Sequence, residues 1–141
     1  MCIRDRAYPD LTLDANPLIT DSDFSCFGLG WELSQEQEGE MRLIACGGRK
    51  TSRTEFAYNP NKGEMLSFVS CINAFEMLLK SRHFIARVDN TAIKALQSTP
   101  LIRTGIYQRW IEYLSMFDYT VIHQPGRLHI NVDTTSRYTG L

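Results

Sequence analysis

Between Leu18 and Cys46 apolar and polar side chains alternate, whereas from Glu64 to Lys80 apolar residues recur every three or four positions. This change of period constrains the fold more than any other feature. Alternation puts successive side chains on opposite faces of a strand, and the longer spacing builds one face of a helix. Leu18–Asp23, Gly28–Ser34 and Met41–Cys46 therefore read as three strands of an antiparallel meander, with Gln35–Glu40 a charged turn around Gly39. Gly47-Gly48-Arg49-Lys50 breaks the pattern. The long helix carries Met65, Phe68, Val69, Ile72, Phe75 and Leu79, and Asn59-Pro60-Asn61 supplies its start signal. His83–Asp89 is a further strand, Asn90–Gln97 a short helix, and Thr104–Met116 a second amphipathic helix with Ile106, Tyr107, Trp110 and Leu114 inward. Tyr119–His123 is the last strand, and Asn131–Tyr138 a closing helix with Asp133 in its first turn. A meander followed by strand–helix units predicts an α/β protein: a five-stranded mixed sheet, flanked by helices.

The chain has 141 residues, enough for one domain with a sizeable core. Residues 1–7 read as a linker or a segment foreign to the domain, and 8–141 as a single domain. Tyr8–Asn16 lacks periodicity and reads as a lead-in loop. No apolar run is long enough to cross a bilayer, and MCIRDR lacks the pattern of a signal peptide, so an intracellular location without membrane contact is expected. A net charge of −1 argues against strong stand-alone binding of nucleic acid, although a local basic surface remains compatible with it. The four cysteines show no C-x-x-C pair; Cys26, Cys46 and Cys71 sit in apolar contexts and read as reduced core residues.

Acidic residues fall at element ends. Asp23 closes the first strand, Glu64 lies in the first turn of the long helix, Asp89 ends the fourth strand, and Asp133 opens the last helix. Open α/β sheets build sites at such ends. Converging carboxylates repel one another unless counter-charge is present, and two Mg²⁺ ions would provide it through oxygen ligands. Helix-start acids also serve as plain caps or dipole complements, so spacing alone leaves both readings open.

The flanking motifs add a resemblance. Ser22-Asp23-Phe24-Ser25 through Gly28-Leu29-Gly30-Trp31-Glu32-Leu33 resembles the T-D-A-S-x-x-G-x-G-A-V-L hairpin of the ribonuclease H domains of reverse-transcribing elements. Ile44-Ala45-Cys46-Gly47-Gly48-Arg49-Lys50 with Glu55 and Tyr58, Asn61-Lys62-Gly63-Glu64-Met65-Leu66, Phe84 through Val88-Asp89-Asn90-Thr91, Arg109-Trp110 through His123-Gln124-Pro125-Gly126, and His129-Ile130-Asn131-Val132-Asp133 resemble its later motifs in order. Gypsy-type LTR retrotransposons are the most similar subgroup.

The resemblance implies a ribonuclease H-like fold and an endonuclease that hydrolyses the RNA strand of an RNA/DNA hybrid. It assigns Asp23, Glu64, Asp89 and Asp133 as ligands of two Mg²⁺ ions, for which Mn²⁺ can substitute. His129 is the candidate for product departure or proton transfer. Asn61, Asn90, Thr91 and Arg127 are candidate substrate contacts; Gln97, Lys94, Arg103 and Arg109 are weaker ones. It also implies a reverse transcriptase polymerase domain in the same polyprotein, acting in the cytoplasm or a retroelement particle. The rival from another class is a non-catalytic, connection-like structural domain of a reverse transcriptase, which would have lost the acidic ligands. Trp31 stands where the family has alanine and demands a larger pocket, and Lys62-Gly63 before Glu64 suggests a looser helix start. Asp21, two residues before Asp23, could tune the field of the site, but reads rather as a solvated strand residue whose asparagine variant keeps most activity.

Overall fold

The computed structural model describes residues 7–88 and 105–123. Its elements run β1 (Leu18–Ser25), β2 (Gly28–Gln37), β3 (Glu40–Lys50), α1 (Arg53–Phe56), α2 (Pro60–Ala74), α3 (Glu76–Leu79), β4 (Phe84–Val88), α4 (Ile106–Leu114) and β5 (Tyr119–His123). The sheet is five-stranded in the order β3-β2-β1-β4-β5. β1, β2 and β3 form the antiparallel meander, while β4 runs parallel to both β1 and β5. This is the expected mixed sheet. The expected helices at Asn90–Gln97 and Asn131–Tyr138 lie outside the described residues.

The hairpins explain where the strands end. Glu38 and Gly39 both take positive φ (55° and 79°), the backbone of a tight two-residue turn, so β2 and β3 extend beyond their expected limits to Gln37 and Glu40. At the other end, Gly47-Gly48 does not break the ladder, as the sequence suggested; β3 continues to Lys50. The reason is lateral. Gly47 pairs with Trp31, and a Cβ at Gly47 would lie 2.7 Å from the indole Nε1. The glycine is the larger pocket that Trp31 requires.

Residues directly opposite one another in a sheet share a face. One face therefore carries Leu18, Leu29, Leu33, Phe84, Ala86, Val88 and Val121, all buried. Met65, Phe68 and Ile72 of α2, Leu79 of α3 and Trp110 and Leu114 of α4 join the same core, with Ile106 and Tyr107 partly buried against it. α4 is also tied to α3 through the Tyr113 hydroxyl, which donates to Glu76 Oε1 at 3.0 Å. The apolar periodicity read as one helix from Glu64 to Lys80 is two: Phe75 leaves helical dihedrals (φ −112°, ψ 20°) and separates α2 from α3. Of the described thiols, only Cys71 is a core residue; Cys26 and Cys46 are half-buried, and all three are unpaired.

The lead-in loop is pinned rather than loose. Gln35, nearly fully buried on β2, accepts from Asp10 N and donates to the Asp10 and Asn16 carbonyls, each at 2.8 Å. Ala7 N donates to Leu43 O at 2.7 Å.

Candidate active site

The site is built from the C-terminal end of β1 and the N-terminal half of α2. Helix α2 starts at Pro60 because Asn59 caps it, its side-chain oxygen accepting from Lys62 N at 2.8 Å, and proline at the first position needs no hydrogen-bonded N–H. Glu64 is thus the fifth residue of the helix, not part of its first turn as expected, and the cap or dipole role weighed for it falls away. Its burial supports another role: Glu64 is 8% exposed, as is Asp23. Placing a carboxylate where so little water reaches it costs free energy unless a cation or donors compensate.

The segments that carry the two acids are joined through their sequence neighbours. The Phe24 ring lies so close to Gly63 that any Cβ there would overlap the ring. Lys62-Gly63 therefore does not loosen the helix start; the glycine admits the aromatic ring that joins the end of β1 to α2. On the ladder, Asp23 pairs with Gly30 and Gly30 with Gly48. The residues paired beside Asp23 on that side therefore carry no side chain.

A second group of charges stands one pleat back on the same face. Asp21 is 1% exposed, so the solvated reading is wrong. It is gripped by Arg87, whose Nε donates to Oδ1 at 2.8 Å and Nη2 to Oδ2 at 2.6 Å. Asp21 and Arg87 are register partners of β1 and β4, and Glu32 is the partner of Asp21 on β2. Glu32 Oε1 is buried and has no hydrogen-bond partner among the described residues. Burial first, then the Asp21 charge, pushes the Glu32 carboxyl up to about 7, against the opposing pull of Arg87. Burial, and to a lesser extent Asp21, also raises the Cys71 thiol, which keeps it an unreactive core group. The sequence did carry a signal for this cluster, since Glu32 and Arg87 are charges inside otherwise apolar strands.

Toward the surface, Arg49 forks onto Glu55 at 2.7 and 3.0 Å, while Ser52 and Glu55 form a reciprocal capping box for α1. These residues of the second motif are structural. Lys62 Nζ lies 4.2 Å from the Tyr58 ring centroid, and Phe27 and Phe56 meet edge to face at 5.7 Å, both exposed. Asn61 is exposed at the start of α2, and Arg109 is exposed on α4.

Of the expected ligands, Asp23 and Glu64 are among the described residues: both are nearly buried, and each adjoins in sequence one partner of the Phe24–Gly63 contact. Asp89, Asp133 and His129 lie outside the described residues, as do Asn90, Thr91 and Arg127 and the weaker candidates Lys94, Gln97 and Arg103. Among the described residues there is no cluster of three or more His, Cys, Asp or Glu side chains able to hold a metal ion. Asp23 and Glu64 offer oxygen donors, which suit a hard cation such as Mg²⁺ that keeps part of its shell for water and phosphate oxygen. No described helix is long and apolar enough to cross a membrane.

Similar folds occur in several solved structures. LC11-RNase H1, isolated from compost by metagenomics and solved with an RNA/DNA hybrid, superposes with a TM-score of 0.68 at 11% identity, over 86% of this chain and 94% of that one. The N-terminal RNase H domain of a Mycobacterium tuberculosis protein, solved as a fusion with maltose binding protein, gives 0.60 at 11% identity over 89% and 94%. The foamy viral protease-reverse transcriptase, solved with an RNA/DNA hybrid, gives 0.61 at 17% identity; 77% of this chain is covered but only 15% of the viral protein. At these identities the likeness is one of fold. Residues 14–117 match the sequence model of the RNase H-like domain found in reverse transcriptase. The chain belongs to that family of reverse-transcriptase RNase H-like domains.

Proposed function

We propose that the domain hydrolyses the RNA strand of an RNA/DNA hybrid, using two divalent cations held by Asp23, Glu64, Asp89 and Asp133. The observation that carries this reading is the burial of Asp23 and Glu64, two carboxylates each 8% exposed on elements joined by the contact of Phe24 with Gly63. A connection-like domain would have lost the acidic ligands, and all four are present in the sequence. Bound Mg²⁺, held by Asp23, Glu64, Asp89 and Asp133, would supply Lewis acidity to the attacking water and to the leaving 3′-oxygen. The protein's part is positional. β1 and α2 carry Asp23 and Glu64, and the residues paired beside Asp23 toward the meander, Gly30 and Gly48, have no side chains. The products of this reading carry a 5′-phosphate and a 3′-hydroxyl.

The finer parts belong to the same proposal. His129 would assist product departure, and Asn61, Asn90, Thr91 and Arg127 would contact substrate. The parent protein would be the polyprotein of a gypsy-type retrotransposon, working in the cytoplasm or in a retroelement particle. A fused polymerase module would grip the hybrid, since a net charge of −1 provides little attraction to a polyanion. In the test, a labelled hybrid is incubated with Mg²⁺ and with chelator, and Asp23→Asn is compared with the wild type. Metal-dependent cleavage that disappears in a folded Asp23→Asn protein is the expected result. Full activity in that variant, or equal cleavage of duplex DNA, overturns the proposal.

A further inference from the structure

The Asp21–Arg87 pair is more than a strand fastener. Its two hydrogen bonds, 2.8 and 2.6 Å, occupy both Asp21 oxygens and both the Nε and Nη2 edges of the guanidinium. Both side chains are shielded, at 2% and 23% exposure. Asp21 and Asp23 lie on one face of β1, one pleat apart, which is roughly 7 Å at strand rise. Arg87 projects from that same face on the neighbouring strand. A guanidinium with free donors this near a carboxylate binds it in the forked geometry that suits the two groups. An arginine on Asp23 would occupy the oxygens that a divalent cation needs.

We infer that Asp21 is a positioning residue: it engages Arg87 and so keeps the guanidinium off the Asp23 carboxylate, leaving that ligand free for a cation. The inference rests on the reading of Asp23 as a metal ligand. A purely structural role, in which the ion pair only fixes the β1–β4 register, is a real competitor. A one-residue slip would turn Asp23 to the other face, and buried ion pairs are known to set register. The two roles differ in how Mn²⁺ binding relates to melting. If Asp21 restrains Arg87, Asp21→Asn loses Mn²⁺ affinity beyond what its melting explains, and removing Arg87 as well restores it. If the pair is only a fastener, Mn²⁺ affinity follows melting temperature in every variant, the double variant included, since that variant no longer buries an unpaired guanidinium.

The experiment measures Mn²⁺ binding by titration calorimetry, hybrid cleavage as a function of Mg²⁺, and thermal melting. The proteins are wild type, Asp21→Asn, Asp21→Asn/Arg87→Gln and Asp23→Asn. The expected result is Mn²⁺ binding weakened about tenfold or more in Asp21→Asn, the scale on which a nearby opposite charge shifts the occupancy of a carboxylate. The Mg²⁺ needed for half-maximal cleavage should rise in parallel, and both should return to near wild type in the double variant. A double variant as impaired as Asp21→Asn, Mn²⁺ affinity that only follows melting temperature, or an Asp21→Asn protein that binds Mn²⁺ like the wild type, overturns the inference while leaving the nuclease reading intact. Wild type that neither binds Mn²⁺ nor cleaves, or Asp23→Asn that binds it unchanged, overturns the metal-site reading and the inference with it. If Asp21→Asn does not fold, Asp21→Glu replaces it: the longer acid should keep Arg87 engaged and retain Mn²⁺ affinity, and its loss there overturns the proposal.

Discussion

The two faces of the sheet obey different rules although they share the same strands. On the helix-covered face, Leu18, Leu29, Leu33, Phe84, Ala86 and Val88 meet α2 and its neighbours in a continuous apolar core. On the opposite face, the intervening residues include Asp21, Asp23, Glu32 and Arg87, three of them 8% exposed or less and the arginine largely shielded. Burial stabilises the first group through the hydrophobic effect and costs the second its hydration. One strand therefore carries apolar and charged groups side by side, because its period of two sends them to opposite faces. At the end of β1, Phe24 on the helix-covered face meets Gly63, the neighbour of Glu64.

The comparison breaks first where the apolar face fails. Phe68 is fully buried, so Phe68→Ala should cost about 3–5 kcal/mol of unfolding free energy. Denaturant melts check this, and a loss below that of a surface substitution would show that α2 is not the core helix. Gly63→Ala tests the junction of the faces. Its methyl group meets the Phe24 ring, so the ring or the helix must move, at about 1–3 kcal/mol. Cleavage should fall by more than the loss of folded protein explains, and unchanged activity would separate Phe24 from the site.

The smallest effect concerns Glu32 and is read as a pH slope. Its carboxyl lies at about 7 in the folded protein against an ordinary 4.5. The folded state thus binds more protons than the unfolded chain between these values. The stabilisation is complete below about 4.5 and is lost as pH rises through about 7. Glu32→Gln cannot titrate, so its stability should fall less than that of the wild type between pH 5 and pH 8, by roughly 1–2 kcal/mol once solvent screening is allowed for. Thermal melts in chelator measure the slope, and parallel slopes for the two proteins would refute the buried-acid account.

Periodicity and motif order in the sequence determined the five strands, the meander, the mixed sheet and the family. Local chemistry sufficed there: alternation defines a strand wherever one face is buried, Asn59-Pro60 starts a helix, and Tyr119–His123 matches β5 end to end. Only the tertiary structure decided which charges are buried. Asp21 looked solvated because nothing near it in sequence is a cation; Arg87 stands 66 residues away and arrives through parallel pairing. Gly47-Gly48 looked like a break because its purpose, room for Trp31 and an open flank beside Asp23, lies on another strand. Gly63 looked like a weak point until Phe24 came to rest on it. A residue's local pattern is written along the chain, but its solvation and its partners depend on what folding brings alongside.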